Sequence, residues 1–323
     1  MHQPHGNVLA FDFGGTKLAA AVIDKATGEL LQYARQKTPT NLGSQGSLDV
    51  IAALGDQMLQ NHAGDDIQAI GISFGGPVSR DGQKIVTSQH VHGWDHFPLP
   101  RVLSEQFGLP VFLENDANAA ALGEWFYGAG ERGENLFYFQ VSTGIGAGIV
   151  IDRKIYRGKG MAGEFGHLTV EEDGLQCACG KRGCLESYSS GWGIASRARE
   201  SYAQLPAASP LRRLTADDPG QITTALIFEA CRQNDEAMQT LLRSAMGSLA
   251  RALADVVCIL DPDRVVIGGG VAQSRDIMQA QLSPWLEKFI PGFMQPHFDL
   301  RFSTLEGKET LLGAALLTEG RYR

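Results

Sequence analysis

Two stretches of this chain repeat one pattern. Residues 12–24 read DFGGTKLAAAVID and residues 140–152 read QVSTGIGAGIVID. In each, an apolar run enters a turn of glycine and threonine, and a second apolar run leaves it to end on Ile-Asp. Both spacings predict a β-hairpin. The same hairpin twice predicts two related α/β halves, one turn from each gripping a polyphosphate in a cleft. Backbone N–H groups and a hydroxyl in such turns suit phosphate oxygens. Gly14, Gly15, Thr16 and Lys17, and then Ser142, Thr143, Gly144 and Gly146, are therefore candidate phosphate contacts. Asp12, at the end of the first strand, is a candidate Mg²⁺ ligand, directly or through water; the second copy has Gln140 there, so the ion would be held mainly from the first half. Two unrelated hairpins are the competing reading.

Residues 163–187, GEFGHLTVEEDGLQCACGKRGCLES, place His167, Cys177, Cys179 and Cys184 in an H-x9-C-x-C-x4-C pattern. Three thiolates and an imidazole on a glycine-rich loop suit a tetrahedral Zn²⁺ ion. Disulfides and buried thiols are the alternatives. The first apolar run, residues 8–13, is short and interrupted by Asp12, so it does not read as a secretory signal, which disfavours disulfides. With all four positions filled by protein, the ion has no open site for a reacting water, and its role would be structural. It would fix Glu164 and Glu186, which are either ligand contacts or plain surface charges.

A length of 323 residues predicts two domains. The first is expected over 1–118, completed by a C-terminal helix at about 303–323, and the second, larger and carrying the zinc loop, over 119–302. A net charge of −8 and the lack of a basic run argue against a nucleic-acid surface. No apolar stretch approaches the roughly 20 residues of a membrane span. A cytoplasmic protein acting on small molecules is the expectation. The 39 glycines cluster after apolar runs, where backbone can approach a ligand.

Residues 1–7 read as a disordered polar leader, 48–59 as a helix and 69–73 as a strand, followed by a loop in which Gly76 can bring backbone to a ligand. A strand at 111–114 runs into Asn115-Asp116-Ala117-Asn118 and an alanine-rich helix over 119–125. Asp116 or Asn118 can be a plain helix cap; capping needs only one of them, whereas the pattern offers a carboxylate and amides to a hydroxylated ligand. Residues 185–200 read as one helix and 205–221 as a polar surface connection. Residues 235–260 form the longest periodic stretch, with Leu241, Ala245, Leu249, Leu253 and Val257 on one face and Cys258 expected as a buried thiol. A strand at 264–267 meets Gly268, Gly269 and Gly270 at the start of another helix, a turn suited to a base and ribose. A last helix is expected over 310–318.

These residues together resemble the ROK group of sugar kinases within the actin-like ATPase (ribonuclease H-like) fold. The likeness runs from DFGGTK at 12–17 through ENDAN at 114–118, GEFGH at 163–167 and CxCGxxGCxE at 177–186 to IGGG at 267–270. The resemblance implies an α/β fold of two domains with a cleft and a structural zinc loop. It implies Asp116 as catalytic base, with Gly76, Asn115, Asp116, Glu164, His167 and Glu186 around the sugar. His167 would bind zinc through one ring nitrogen and a sugar hydroxyl through the other. Gly268, Gly269 and Gly270 would flank the adenosine of ATP, with Mg²⁺ at the phosphates. A homodimer is implied as well.

The expected reaction is transfer of the ATP γ-phosphoryl group to the 6-hydroxyl of a hexose, glucose first. An N-acetylglucosamine or N-acetylmannosamine kinase is the alternative, then a fructokinase. Residues 114–124 look more like the glucose kinases. Three positions depart from the family pattern: Gly75 before Gly76 where relatives have proline, His90 for an asparagine, and Ala147 for a glycine. The first two bear on the sugar. A sugar-responsive repressor would resemble the same chain with a helix-turn-helix domain in front; here the motif begins at Asp12, and the net charge opposes DNA binding.

Overall fold

The computed structural model describes residues 4–64, 66–88 and 91–322. The first hairpin is β1 (Asn7–Phe13) and β2 (Lys17–Asp24), antiparallel from Asn7 opposite Asp24 to Phe13 opposite Leu18. β3 (Glu29–Lys37) extends it, followed by α1 (Gly43–Asn61). β4 (Ile67–Phe74) lies parallel to β1 and, after α2 (Leu99–Phe107), β5 (Val111–Asn115) lies parallel to β4. Next come α3 (Asp116–Tyr127), the second hairpin of β6 (Leu136–Val141) and β7 (Ile145–Ile151), and β8 (Lys154–Ile155). A helical stretch holds α4 (Leu185–Ser189), α5 (Gly191–Glu200), α6 (Pro210–Leu214), α7 (Thr224–Arg232) and α8 (Glu236–Leu260). β9 (Arg264–Gly268), α9 (Arg275–Phe289), β10 (Leu300–Phe302) and α10 (Glu309–Leu316) complete the chain.

The sheet orders are β3-β2-β1-β4-β5 and β8-β7-β6-β9-β10. Counting the strands of each sheet in chain order, both read 3-2-1-4-5, so the repeat seen in the two hairpins extends to the whole sheet. Both parallel and antiparallel pairs occur, which makes this an α/β fold with two mixed sheets.

The chain packs as two compact units, residues 1–138 with 148–163 and 304–323, and residues 139–147 with 164–303. The sequence boundary at 118 differs because α3 stays with the first unit. A Cβ on Gly123 would overlap the Glu309 carbonyl, and one on Gly313 would overlap that of Ala119, so α3 and α10 touch backbone to backbone. One face of the first sheet packs Phe11, Phe13 and Ile72 against Ile51, Leu54, Met58 and Trp94. The other packs Val8, Ala10, Ala19 and Ala21 against Leu311, Leu312, Ala314 and Ala315. Burial on both faces explains why β1 and β4 read as largely apolar runs and not as a strict alternation.

Several local expectations change. Of the expected leader, residues 1–3 lie outside the described residues, while Asn7 already pairs in β1. His90 also lies outside them. The helix expected over 185–200 breaks at Ser190, whose extended backbone (ψ 163°) lets its side chain cap Gly193 and start α5 afresh. The connection at 205–221 contains α6. Cys258 is exposed, because it sits one step round the helix from buried Val257. None of the described helices is long and apolar enough to cross a membrane.

Candidate active site

In the first unit the candidate residues gather at the carboxyl ends of the parallel strands β1, β4 and β5, where sheets of this kind receive ligands. The Gly14 N–H donates to the Lys17 carbonyl (2.9 Å), Thr38 Oγ1 donates to the Gly14 carbonyl (2.7 Å), and the Gly75 N–H donates to the Phe13 carbonyl (2.8 Å). The turn through Gly15 and exposed Thr16 is therefore braced from two sides. Asp12 is buried and accepts from Ser73 Oγ at 2.9 Å. Burial pushes its carboxyl above the usual range despite the opposing charge of Lys17. Such an under-compensated carboxylate suits a divalent cation.

Asp116 opens α3, but it does not cap it. That task falls to Asn115, whose side chain accepts from the Ala117 and Asn118 N–H groups, a role not assigned from the sequence. Asn115 Nδ2 donates to the Gly76 carbonyl (3.1 Å) and to Asp116 Oδ1 (3.0 Å), and the Ala117 N–H donates to the same oxygen (3.0 Å). The amide thus spends both N–H bonds on Gly76 and Asp116 and fixes the carboxylate beside that loop. Buried Asn118 donates to Glu114 Oε1 (3.0 Å), and Arg157 Nε donates to Glu114 Oε2 (2.6 Å). This supporting pair was invisible in the sequence, since nothing in local pattern links positions 114 and 157.

In the second unit the Ser142 turn and the triple glycine come together. The Ser142 N–H donates to the Gly144 carbonyl at 2.9 Å. Gly269 has φ +89°, and a Cβ there would lie 2.5 Å from the Val141 carbonyl; one on Gly270 would lie 3.9 Å from Ser142 Oγ. Gly268 ends β9 just before this contact. Glu186 Oε2 accepts the Ile145 N–H at 2.9 Å, and a Cβ on Gly144 would come within 2.6 Å of the same oxygen. Glu186 is therefore tied to the turn that runs on to Gly146.

His167, Cys177, Cys179 and Cys184 bring their donor atoms within 4.8 Å of one another. Cys177 Sγ lies 3.7 Å from His167 Nδ1, and Cys179 Sγ lies 3.6 Å from Cys184 Sγ. Bonds of about 2.3 Å in a tetrahedron give edges of about 3.8 Å, so the donor set fits a zinc ion. All five cysteines are unbridged. Burial pushes the Cys184 thiol up to about 12, whereas the Lys181 backbone N–H holds Cys179 below its ordinary value. With Nδ1 facing the thiols, His167 turns Nε2 toward Glu164 Oε2 at 3.8 Å. The two carboxylates expected beside the metal knot thus have different partners, Glu164 the imidazole and Glu186 the glycine turn. A separate groove of about 1160 Å³ in this unit, lined by Glu171, Tyr188, Arg197 and Ser244 among others, holds none of the candidate residues.

The family model described as "ROK family" matches residues 8–321, and the chain belongs to the ROK family. It is similar to a glucokinase of Streptomyces coelicolor, 33% identical over 316 residues and covering 96% of each chain. It is 35% identical over 314 residues to an N-acetylmannosamine kinase of Escherichia coli, covering 97% of this chain and 98% of the other. Among solved structures, a ROK family glucokinase from Streptomyces griseus in complex with glucose and AMPPNP is 35% identical, with a TM-score of 0.83 over 97% of this chain and 99% of that one.

Proposed function

We propose that this protein is a hexose kinase that moves the γ-phosphoryl group of ATP to the 6-hydroxyl of glucose. The observation that carries the reading is the end-to-end likeness to a glucokinase seen with glucose and AMPPNP. Asp116 takes the hydroxyl proton as the sugar oxygen attacks phosphorus, a role that suits a carboxylate oriented by Asn115 and the Ala117 N–H. Gly76, Asn115, Glu164, His167 and Glu186 hold the sugar, Asn115 exchanging its bond to Gly76 for one to a hydroxyl. Gly14, Gly15, Thr16 and Lys17 receive phosphates from the first turn, and Ser142, Thr143, Gly144 and Gly146 from the second. Gly268, Gly269 and Gly270 border the nucleoside. Asp12 would hold Mg²⁺, which would supply positive charge to the phosphates, and His167, Cys177, Cys179 and Cys184 would hold a Zn²⁺ ion that fixes the loop. Transfer of this kind depends on positioning and electrostatics, which is what these braced turns provide. The reading includes a cytoplasmic homodimer with the actin-like fold, in keeping with family membership.

The likeness to N-acetylmannosamine kinase supports a second reading with the same machinery and a different sugar. ADP release measured with glucose, mannose, fructose, N-acetylglucosamine and N-acetylmannosamine separates the two. Glucose is expected to lead in kcat/KM by about tenfold or more, a margin of about 1.4 kcal/mol in transition-state binding. An acetylated sugar in first place replaces the first reading with the second, and no turnover with any of the five removes both.

A further inference from the structure

Trp192 stands out among the tryptophans. Trp94 and Trp125 are buried and pack on Phe13 and Tyr322, and Trp285 stacks on Phe289. Trp192 is 47% exposed and packs on no aromatic ring among the described residues. Leaving so large an apolar surface in water forgoes favourable burial. Yet its backbone is firmly placed. The Trp192 N–H donates to the Thr143 carbonyl (3.0 Å), and the neighbouring Gly191 N–H donates to the Ser142 carbonyl (2.8 Å). Thr224 Oγ1 donates to the Gly191 carbonyl at 2.8 Å. A Cβ on Gly191 would lie 3.4 Å from a Val271 methyl, directly after the triple glycine.

The Ser142 turn, the start of α5, the start of α7 and the Gly268–Gly270 segment therefore meet around Gly191, with an open indole at their edge. We infer that Trp192 is a nucleobase platform, its ring stacking on the purine of the nucleotide whose phosphates lie on the Ser142 turn. This rests on the reading of that turn as a phosphate site. A purine suits the position because it offers a flat π face to an indole and needs no hydrogen bond from it. Loss of one such stack costs about five- to 150-fold in affinity.

Calorimetric titration with ADP and with inorganic tripolyphosphate, together with KM for ATP, tests it on the full chain. Trp192→Ala is expected to weaken ADP and raise KM for ATP by about five- to 150-fold, to leave tripolyphosphate binding as in the parent, and to be largely rescued by Trp192→Phe. Equal weakening of tripolyphosphate would mark general damage to the turn and overturn the platform. An unchanged KM for ATP in Trp192→Ala, with a raised one in Thr143→Ala, would overturn the platform while keeping the phosphate site. Unchanged values in both would remove the phosphate site and the platform together.

Discussion

Asp116→Asn will bind glucose about as well as the parent and turn it over more slowly by about three orders of magnitude. The substitution is nearly isosteric, and the Asn115 Nδ2 and Ala117 N–H bonds to the side chain go to Oδ1, which an asparagine can keep as its carbonyl oxygen. What is lost is the capacity to accept a proton, and general bases contribute about 10²–10⁴ in rate. Loss of an anion from the first turn of α3 should cost well under about 1 kcal/mol of stability, so the fold stays intact. Steady-state kinetics paired with an equilibrium glucose titration reads both halves. Turnover within tenfold of the parent would take Asp116 out of the proton transfer, and loss of glucose binding would recast it as a sugar ligand.

Cys179→Ala will release the metal and weaken glucose by about tenfold or more. Cys179 is the exposed thiol of the four ligand candidates, so its removal opens no cavity, and any large effect must run through the ion. Structural zinc supplies folding free energy directly. A loss of about 3–5 kcal/mol corresponds to a Tm lower by about 4–7 °C in a chain of this size. The sugar effect follows from His167, whose Nδ1 lies with the thiols while Nε2 faces Glu164. Zinc content, Tm and the glucose KM should move together, whereas Cys258→Ser, an exposed thiol outside the cluster, should move none of them. A variant without zinc that kept its Tm and its glucose KM would sink the role given to the loop.

The His/Cys cluster was legible because its four residues lie in one short loop. The hairpins were legible because β1 and β2 are buried on both faces and so read as apolar runs. β3 was not, since ELLQYARQK alternates exposed and half-buried positions with charges among them, and only its pairing with β2 defines it. The break at Ser190 eluded periodicity because it depends on a cap and on Gly191 meeting Ser142 from another part of the chain. Glu186 was singled out by its place beside the cysteines, but its bond to Ile145 spans 41 residues of sequence. Asn115 was missed as the cap because a helix start was sought after the strand, whereas the strand's last residue serves both elements.

α10 has a consequence for how the protein is made. Its leucines and alanines cover one side of a sheet whose first strand begins at Asn7, so a ribosome delivers the cover some 300 residues after the surface it protects. Until then the alanine face of β1 and β2 lacks its cover, while residues 164–303 already have most of their own partners. Nascent chains arrested before residue 304 should be cut by protease within residues 8–74, and full resistance there would show the cover to be dispensable. Termination before α10 therefore uncovers strands made some 300 residues earlier, not the segment made last.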